Sequence, residues 1–271
     1  MEILLHTIAL EPARWTPERV SQPLLHLLPH IAASGFKRLE IYEPHLQNDA
    51  DWPEIATALA KLDIRAVILS SYLNLRPAVT SDEDLERQTG RLKSCLDAFG
   101  FSKVRIFPGA EHNEEGIRVF KTRLRHLSGQ IPDVEILLET HDGSLADDPA
   151  LLVRIVEELA LPNVGLLYQP TFFEARRSIE QFHLQKPFIR HLHLQGRRPD
   201  FSVVALKDGL FPWSQVVPEL DAKVNATLEF VSSGICPVER FDLAASLKEA
   251  RAEVDYVRKI EAGAISARSA D

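Results

Sequence analysis

Several short apolar runs in this chain of 271 residues end on a side chain that can bind a metal ion or carry a proton. They are Ile136-Leu137-Leu138-Glu139-Thr140-His141, Leu166-Leu167-Tyr168-Gln169, His191-Leu192-His193-Leu194 and Thr227-Leu228-Glu229-Phe230. Two earlier runs contribute Glu40 and His6. A carboxylate in an apolar run is costly to bury unless it is paired or bound to a cation. Glu139, Gln169, His193 and Glu229 together offer oxygen ligands and one imidazole nitrogen. Such a set suits one divalent ion, Mn²⁺ or Mg²⁺ first, with Zn²⁺ and Co²⁺ as further candidates. Residues two apart on a strand share a face, so Glu139 and His141 should point the same way, as should His191 and His193.

The elements that must hold these residues are legible as alternating patterns. Strand-like runs occur at Ile3–His6, Arg38–Tyr42, Arg65–Ser70, Lys103–Phe107, Val134–Glu139, Val164–Tyr168, Ile189–Leu194 and Ala226–Val231. Most are continuous Val/Ile/Leu runs, as burial on both faces of a parallel sheet demands. The segments between them carry helix signals. Thr16-Pro17 reads as an N-cap followed by proline, and Asp51-Trp52-Pro53-Glu54 has capping-box spacing. Ser81 and Gly100 bracket a helix burying Leu85, Leu92, Cys95, Leu96 and Phe99, and Asp148-Pro149 opens another. Phe241–Ile260 is a last amphipathic helix, and Pro29 should kink or divide the first one. Arg197–Leu210 reads as a long loop before a short helix near Trp213–Leu220, and Trp15 and Trp52 read as core residues. Eight β-then-α units without a linker predict a single (β/α)₈ TIM barrel over residues 1–261, with 262–271 as a flexible tail. Long βα loops of such a barrel lie at the C-terminal face, where active sites form.

Composition narrows the function classes. A net charge of −8 argues against nucleic acid as the main partner. No apolar stretch reaches membrane-span length, and the first residues lack signal-peptide features. Cys95 and Cys236, far apart and outside any CxxC, read as buried reduced thiols and point to a cytoplasmic protein. No Gly-rich phosphate loop or basic cluster indicates a phosphorylated substrate.

The ordered set of motifs resembles the xylose-isomerase-like barrel superfamily of sugar isomerases, epimerases and related dehydratases, which shares its fold with apurinic endonucleases. The marks are Leu39-Glu40-Ile41, Arg105-Ile106-Phe107-Pro108-Gly109, Leu138-Glu139-Thr140-His141, Asn163-Val164-Gly165-Leu166-Leu167-Tyr168-Gln169-Pro170, His191-Leu192-His193 and Leu228-Glu229-Phe230. The resemblance implies one divalent metal held by Glu139, Gln169, His193 and Glu229, with Gln169 standing where the family has Asp. An amide oxygen coordinates without charge, so metal affinity should fall. The family's histidine three residues on is Phe172 here, and Arg197 and Arg198 lie near its strand-seven arginine.

The implied reaction is isomerisation or epimerisation of a small sugar or keto-polyol. Glu139 and Glu229 would be base and acid, and His141 would hold a substrate hydroxyl or orient Glu139. His6, Glu40, Arg197, Arg198 and Phe172 are further candidates for substrate contact, while His191 reads as packed structure. A dehydratase acting on a cyclic polyol or hydroxy-keto acid would use the same parts. A sugar-binding barrel with a decayed metal site, or a repair endonuclease, would also fit the fold. The family also implies dimers or tetramers.

Overall fold

A computed structural model describes residues 1–15, 20–171 and 174–263. Its parallel strands close into one barrel: β1 (Ile3–His6), β2 (Arg38–Tyr42), β3 (Arg65–Ser70), β4 (Lys103–Ile106), β5 (Glu135–Glu139), β6 (Val164–Tyr168), β7 (Ile189–Leu194) and β8 (Asn225–Leu228). Strand order follows the sequence, and β8 closes onto β1 with Leu228 opposite Leu5. The helices are α1 (Leu24–Ala33), α2 (Trp52–Lys61), α3 (Asp82–Phe99), α4 (Glu114–Gln130), α5 (Pro149–Leu159), α6 (Ala175–Gln185), α7 (Trp213–Val216) and α8 (Leu243–Glu261). This is a single (β/α)₈ barrel, and the expected strand runs are its strands, with ends shifted by a few residues.

Local chemistry sets the helix ends. The Ser81 hydroxyl accepts from the Asp84 N–H, and Gly100 closes α3 at φ +66°. Asp148 accepts from the N–H groups of Ala150 and Leu151, and Asp242 opens α8 by accepting from Ala245 N–H. The capping box expected at Asp51 does not form; Asp51 is already helical in backbone, and Asn48 caps the preceding 3-10 turn instead. Pro29 lies inside α1 without dividing it. Thr16-Pro17 lies outside the described residues, as does the expected tail from residue 264 onward, and α1 begins after Pro23. The expected long loop after β7 contains a short antiparallel hairpin that pairs Gly196–Arg197 with Val203–Val204. Cys236 is half-buried rather than buried, and Trp15 is 64 % exposed rather than core.

Two apolar layers support the mouth of the barrel. The larger lies between strands and helices. The smaller plugs the lumen with Leu4, Ile68, Leu137 and Leu167. Two residues further along those same strands come His6, Ser70, Glu139 and Gln169. Strand periodicity therefore stacks a polar layer on the apolar plug. Likewise β7 and β8 step from His191 to His193 and from Thr227 to Glu229, and His191 Nε2 bonds Thr227 Oγ1 at 2.7 Å. The β2–β3 register slips between Leu39 and Glu40, a local irregularity of the kind that re-aims a side chain near a site.

The loop after β1 is tied down by one carboxylate. Glu11 is fully buried and accepts from the N–H groups of Ala13, Ser21 and Gln22 and from the Ser21 hydroxyl. Burial alone would raise its pKa, but His45, the Ser21 hydroxyl and the backbone donors outweigh it and hold the carboxyl down at about 2. The stabilisation is therefore complete above the unfolded carboxyl pKa and is lost as pH falls toward 2. Glu11→Gln should reduce the unfolding free energy at pH 7 by about 3 kcal/mol. Urea unfolding of wild type and variant should converge as pH drops from 5 to 2; a gap that persists at pH 2 would contradict this account.

Candidate active site

One imidazole organises the polar layer. His193, on β7, is fully buried, and its two nitrogens face different partners. Nε2 lies 3.0 and 3.1 Å from the two oxygens of Glu40 on β2. Nδ1 lies 3.4 Å from Glu139 Oε1 and 3.5 Å from Glu229 Oε2. Burial pushes the ring toward neutrality, but Glu40, Glu229 and Glu139 outweigh it and hold its pKa well above the ordinary histidine value. Burial would likewise raise the Glu40 carboxyl; His193 and His6 hold it below the usual range.

His6 behaves differently in the same layer. Its Nδ1 accepts from the Ile8 N–H, so its proton sits on Nε2, 3.0 Å from Ser70 Oγ and 3.4 Å from Glu40. Burial, opposed by Glu40, lowers its pKa to about 3, so the ring is neutral. His6 and Glu40 do not line the cavity above. Glu40 meets His193 at Nε2, and the His6 ring packs against the His193 ring with centroids 5.7 Å apart.

The two flanking glutamates have opposite electrostatics. Glu139 Oε2 lies 2.9 Å from Arg105 Nε, with both side chains nearly inaccessible. Burial acts upward on Glu139, but Arg105 and His193 outweigh it and leave the carboxyl below its ordinary value. Among the described residues, no arginine or lysine forms an ion pair with Glu229, which faces His193 at 3.5 Å. Burial raises it, His193 opposes the rise, and the Glu139 charge adds to it. Arg105 is itself fixed by Ser71, whose backbone carbonyl accepts from it at 3.2 Å, and by the Phe107 ring, 4.4 Å from the guanidinium. The Tyr72 ring lies 5.4 Å from the same group.

A cavity of about 200 Å³ opens above this layer, walled by Arg105, Glu139, Gln169, Gln195 and Glu229, with His141 and Arg197 also on its wall. Gln169 is engaged in a polar chain: its Oε1 accepts from Gln195 Nε2 at 2.7 Å, and Gln195 Oε1 accepts from Arg197 Nε at 2.7 Å. His141 reaches the cavity wall but does not bond Glu139; its Nδ1 bonds the Asp142 carbonyl and its ring packs edge-on against Phe107 at 4.9 Å. The side chain paired with Glu139 is Arg105. Arg198 is exposed, and its N–H donates to Ser202 in the hairpin turn. Phe172 lies outside the described residues. Phe201, in the left-handed region at φ +66° and 57 % exposed, reaches the cavity rim from the hairpin.

The donor set fits a divalent cation. One ligand atom each from Glu139, His193 and Glu229 lies within 4.8 Å of the others, all buried. His193 Nδ1 and Glu229 Oε2 are buried without a hydrogen-bond partner. An imidazole whose far nitrogen donates to a carboxylate is the usual arrangement around a metal ligand, and Glu40 provides that carboxylate.

Sequence reasoning overlooked the roles of Arg105 and Gln195. Both carried a signal. Arg105 is a charge between Val104 and Ile106 on β4, and Gln195 falls two residues beyond His193 and so on the same face.

The model of the xylose isomerase-like TIM barrel family matches residues 28–260. The chain belongs to that family. Solved structures of similar fold include the probable 3-DHS dehydratase AsbF from Bacillus anthracis, 18 % identical, covering 93 % of this chain and 99 % of its own with a TM-score of 0.72. The IolI protein, solved with a zinc atom, is 17 % identical, covering 96 % and 99 % of the two chains at a TM-score of 0.73. D-psicose 3-epimerase from Clostridium cellulolyticum, solved with D-tagatose, is 13 % identical, covering 96 % and 99 % at 0.67. A search of curated protein sequences returns no match. Among the described residues, no helix is long and apolar enough to cross a membrane.

The Arg105–Glu139 pair makes a sharp stability prediction. Removing one partner of a buried pair leaves the other charge uncompensated, which costs about 3–5 kcal/mol. Arg105→Met should lose that much in urea unfolding, and adding Glu139→Gln should restore part of it. A single variant as stable as wild type would show that the pair is not coupled in this way.

Proposed function

We propose that this barrel is a metal-assisted isomerase or epimerase of a small sugar or keto-polyol, moving a proton on the carbon next to a carbonyl. The observation that carries the reading is the convergence of Glu139, His193 and Glu229, with the two glutamates on the wall of a small polar cavity and His193 Nδ1 and Glu229 Oε2 buried without a hydrogen-bond partner. A divalent ion bound there supplies Lewis-acid polarisation of a carbonyl and its neighbouring hydroxyl. Mn²⁺ or Mg²⁺ suits the oxygen-rich set best. Glu40 holds the Nε2 proton of His193, which leaves Nδ1 as the ligand atom. Glu139 takes the proton from substrate carbon and Glu229 returns one on the other side. Gln169 contributes through its bond to Gln195 and so lines the substrate's path.

A second reading has its own observation. Arg105 and Arg197 both reach the cavity wall, which favours an acidic substrate. A dehydratase acting on a hydroxy-keto acid would use the same carboxylates, expelling a β-hydroxyl after the proton is removed. NMR in deuterated water separates the two. Exchange of the proton next to the carbonyl without loss of water supports isomerisation, and an unsaturated product supports the dehydratase. Glu139→Gln and Glu229→Gln should each slow exchange by about a thousandfold while circular dichroism stays unchanged. Either variant retaining a near-wild-type rate would refute the assignment. Calorimetry with MnCl₂ should show one site, weakened by roughly tenfold or more in Glu229→Gln.

A further inference from the structure

A second cavity adjoins the polar one, and nothing in the proton-transfer chemistry uses it. It measures about 580 Å³ and lies between the loops after β1, β2 and β3 and one face of α3. Its walls include Trp15, Tyr42, Pro44, Tyr72, Leu73 and Leu92. The charged groups at its edge have partners of their own. Glu43 accepts from the Ser71 hydroxyl and the Tyr72 N–H, and Arg91 donates to the Leu46 carbonyl and to Asp49. Apart from Gln47 and Gln88, what remains for a ligand is apolar and largely aromatic.

Two residues, Trp15 and Tyr72, line both cavities. The Tyr72 ring stands edge-on to Tyr42 at 5.9 Å on one side and packs against Phe107 at 5.9 Å on the other. Trp15 is mostly exposed and sits in the left-handed region at φ +67°, a conformation that costs a non-glycine residue energy. Its ring packs against Phe230 at 6.2 Å and under the Arg14 guanidinium, which leaves most of its surface open between the polar and the apolar cavity. The polar cavity is also the smaller of the two.

We propose that the substrate carries an aryl group, and that this group passes Trp15 and Tyr72 to fill the apolar cavity while the reacting end lies over Glu139 and Glu229. The inference rests on the proton-transfer reading for the polar end alone. Aromatic walls suit a planar ring, which packs against them in offset or edge-to-face geometry. A six-atom ring at the usual efficiency of drug-sized ligands should tighten binding roughly 20-fold over the same molecule without it.

The probe is 4-bromophenol. In soaked crystals its bromine should give an anomalous peak between Tyr42, Leu73 and Leu92. In solution, calorimetry should show binding that falls by roughly tenfold or more in Gln88→Phe, which narrows the rim from α3, and is unchanged in Glu139→Gln. No peak in this cavity, binding at crystal concentration only, or full affinity in a folded Gln88→Phe would each overturn the proposal. Because Glu139→Gln stops exchange but should leave bromophenol bound, failure of the aryl site and failure of the proton-transfer reading give different results.

Discussion

Three buried carboxylates share one imidazole, and the rest of the mouth is arranged to make that tolerable. Glu40, Glu139 and Glu229 lie within 3.0–3.5 Å of His193 in a layer closed to solvent. Isolated buried charges of this kind would be driven neutral. Here His193 takes one position among them, Arg105 neutralises Glu139, and Arg197 acts on Glu229 from the rim. Replacing the Nδ1 proton by a divalent ion adds one further positive charge to the same layer. A negative charge developing on substrate oxygens is what such a layer then favours, by placement of fixed charges and without reorganisation.

Support for that layer comes from two differently built sides. On the side of β1–β3, Tyr42 N–H donates to Thr7 Oγ1, the Thr7 hydroxyl bonds His45 Nδ1, and His45 faces Glu11 at 3.6 Å. This chain of bonds fastens the first loop to the second and leaves aromatic surface toward the cleft. On the side of β6–β7, the amides of Gln169 and Gln195 and the Arg197 guanidinium form a polar wall. A molecule lying across the mouth therefore meets apolar surface at one end and hydrogen-bonding groups at the other, which fixes its direction relative to Glu139 and Glu229.

Much of this was legible in the sequence because of one regularity. Mostly apolar strands alternating with helix signals pointed to the barrel, and their place at strand ends grouped Glu139, His193 and Glu229 at its mouth. What escaped was long-range pairing. Arg105 and Glu139 are adjacent only because β4 and β5 pair, and Glu40 meets His193 across the lumen, a contact between residues 153 apart in sequence. The capping box at Asp51 failed for a local reason, since Asn48 already caps the turn before it. Trp15 was misjudged because an aromatic residue in a loop carries no pattern that separates core from cleft wall.

Gln169 is the position at which a decayed metal site would be most readily argued, and its surroundings weigh against decay. A position released from selection in a buried layer tends to leave polar atoms without partners. Gln169 instead has its side-chain oxygen bonded at 2.7 Å, while its backbone N–H donates to Thr140 Oγ1 and its carbonyl accepts from the same hydroxyl. The next amide, Gln195, uses its oxygen for Arg197, and its carbonyl accepts from the Trp213 indole N–H, so the chain of bonds reaches into the packing beneath the hairpin. A carboxylate at 169 would add a fourth negative charge to the layer and would draw Gln195 and Arg197 inward. The neutral amide leaves the Arg197 guanidinium at the rim, stacked 4.8 Å from the Phe230 ring and available to the cavity. On the proposed reading, a neutral amide at this position would exchange one ligand charge for a positioned cation.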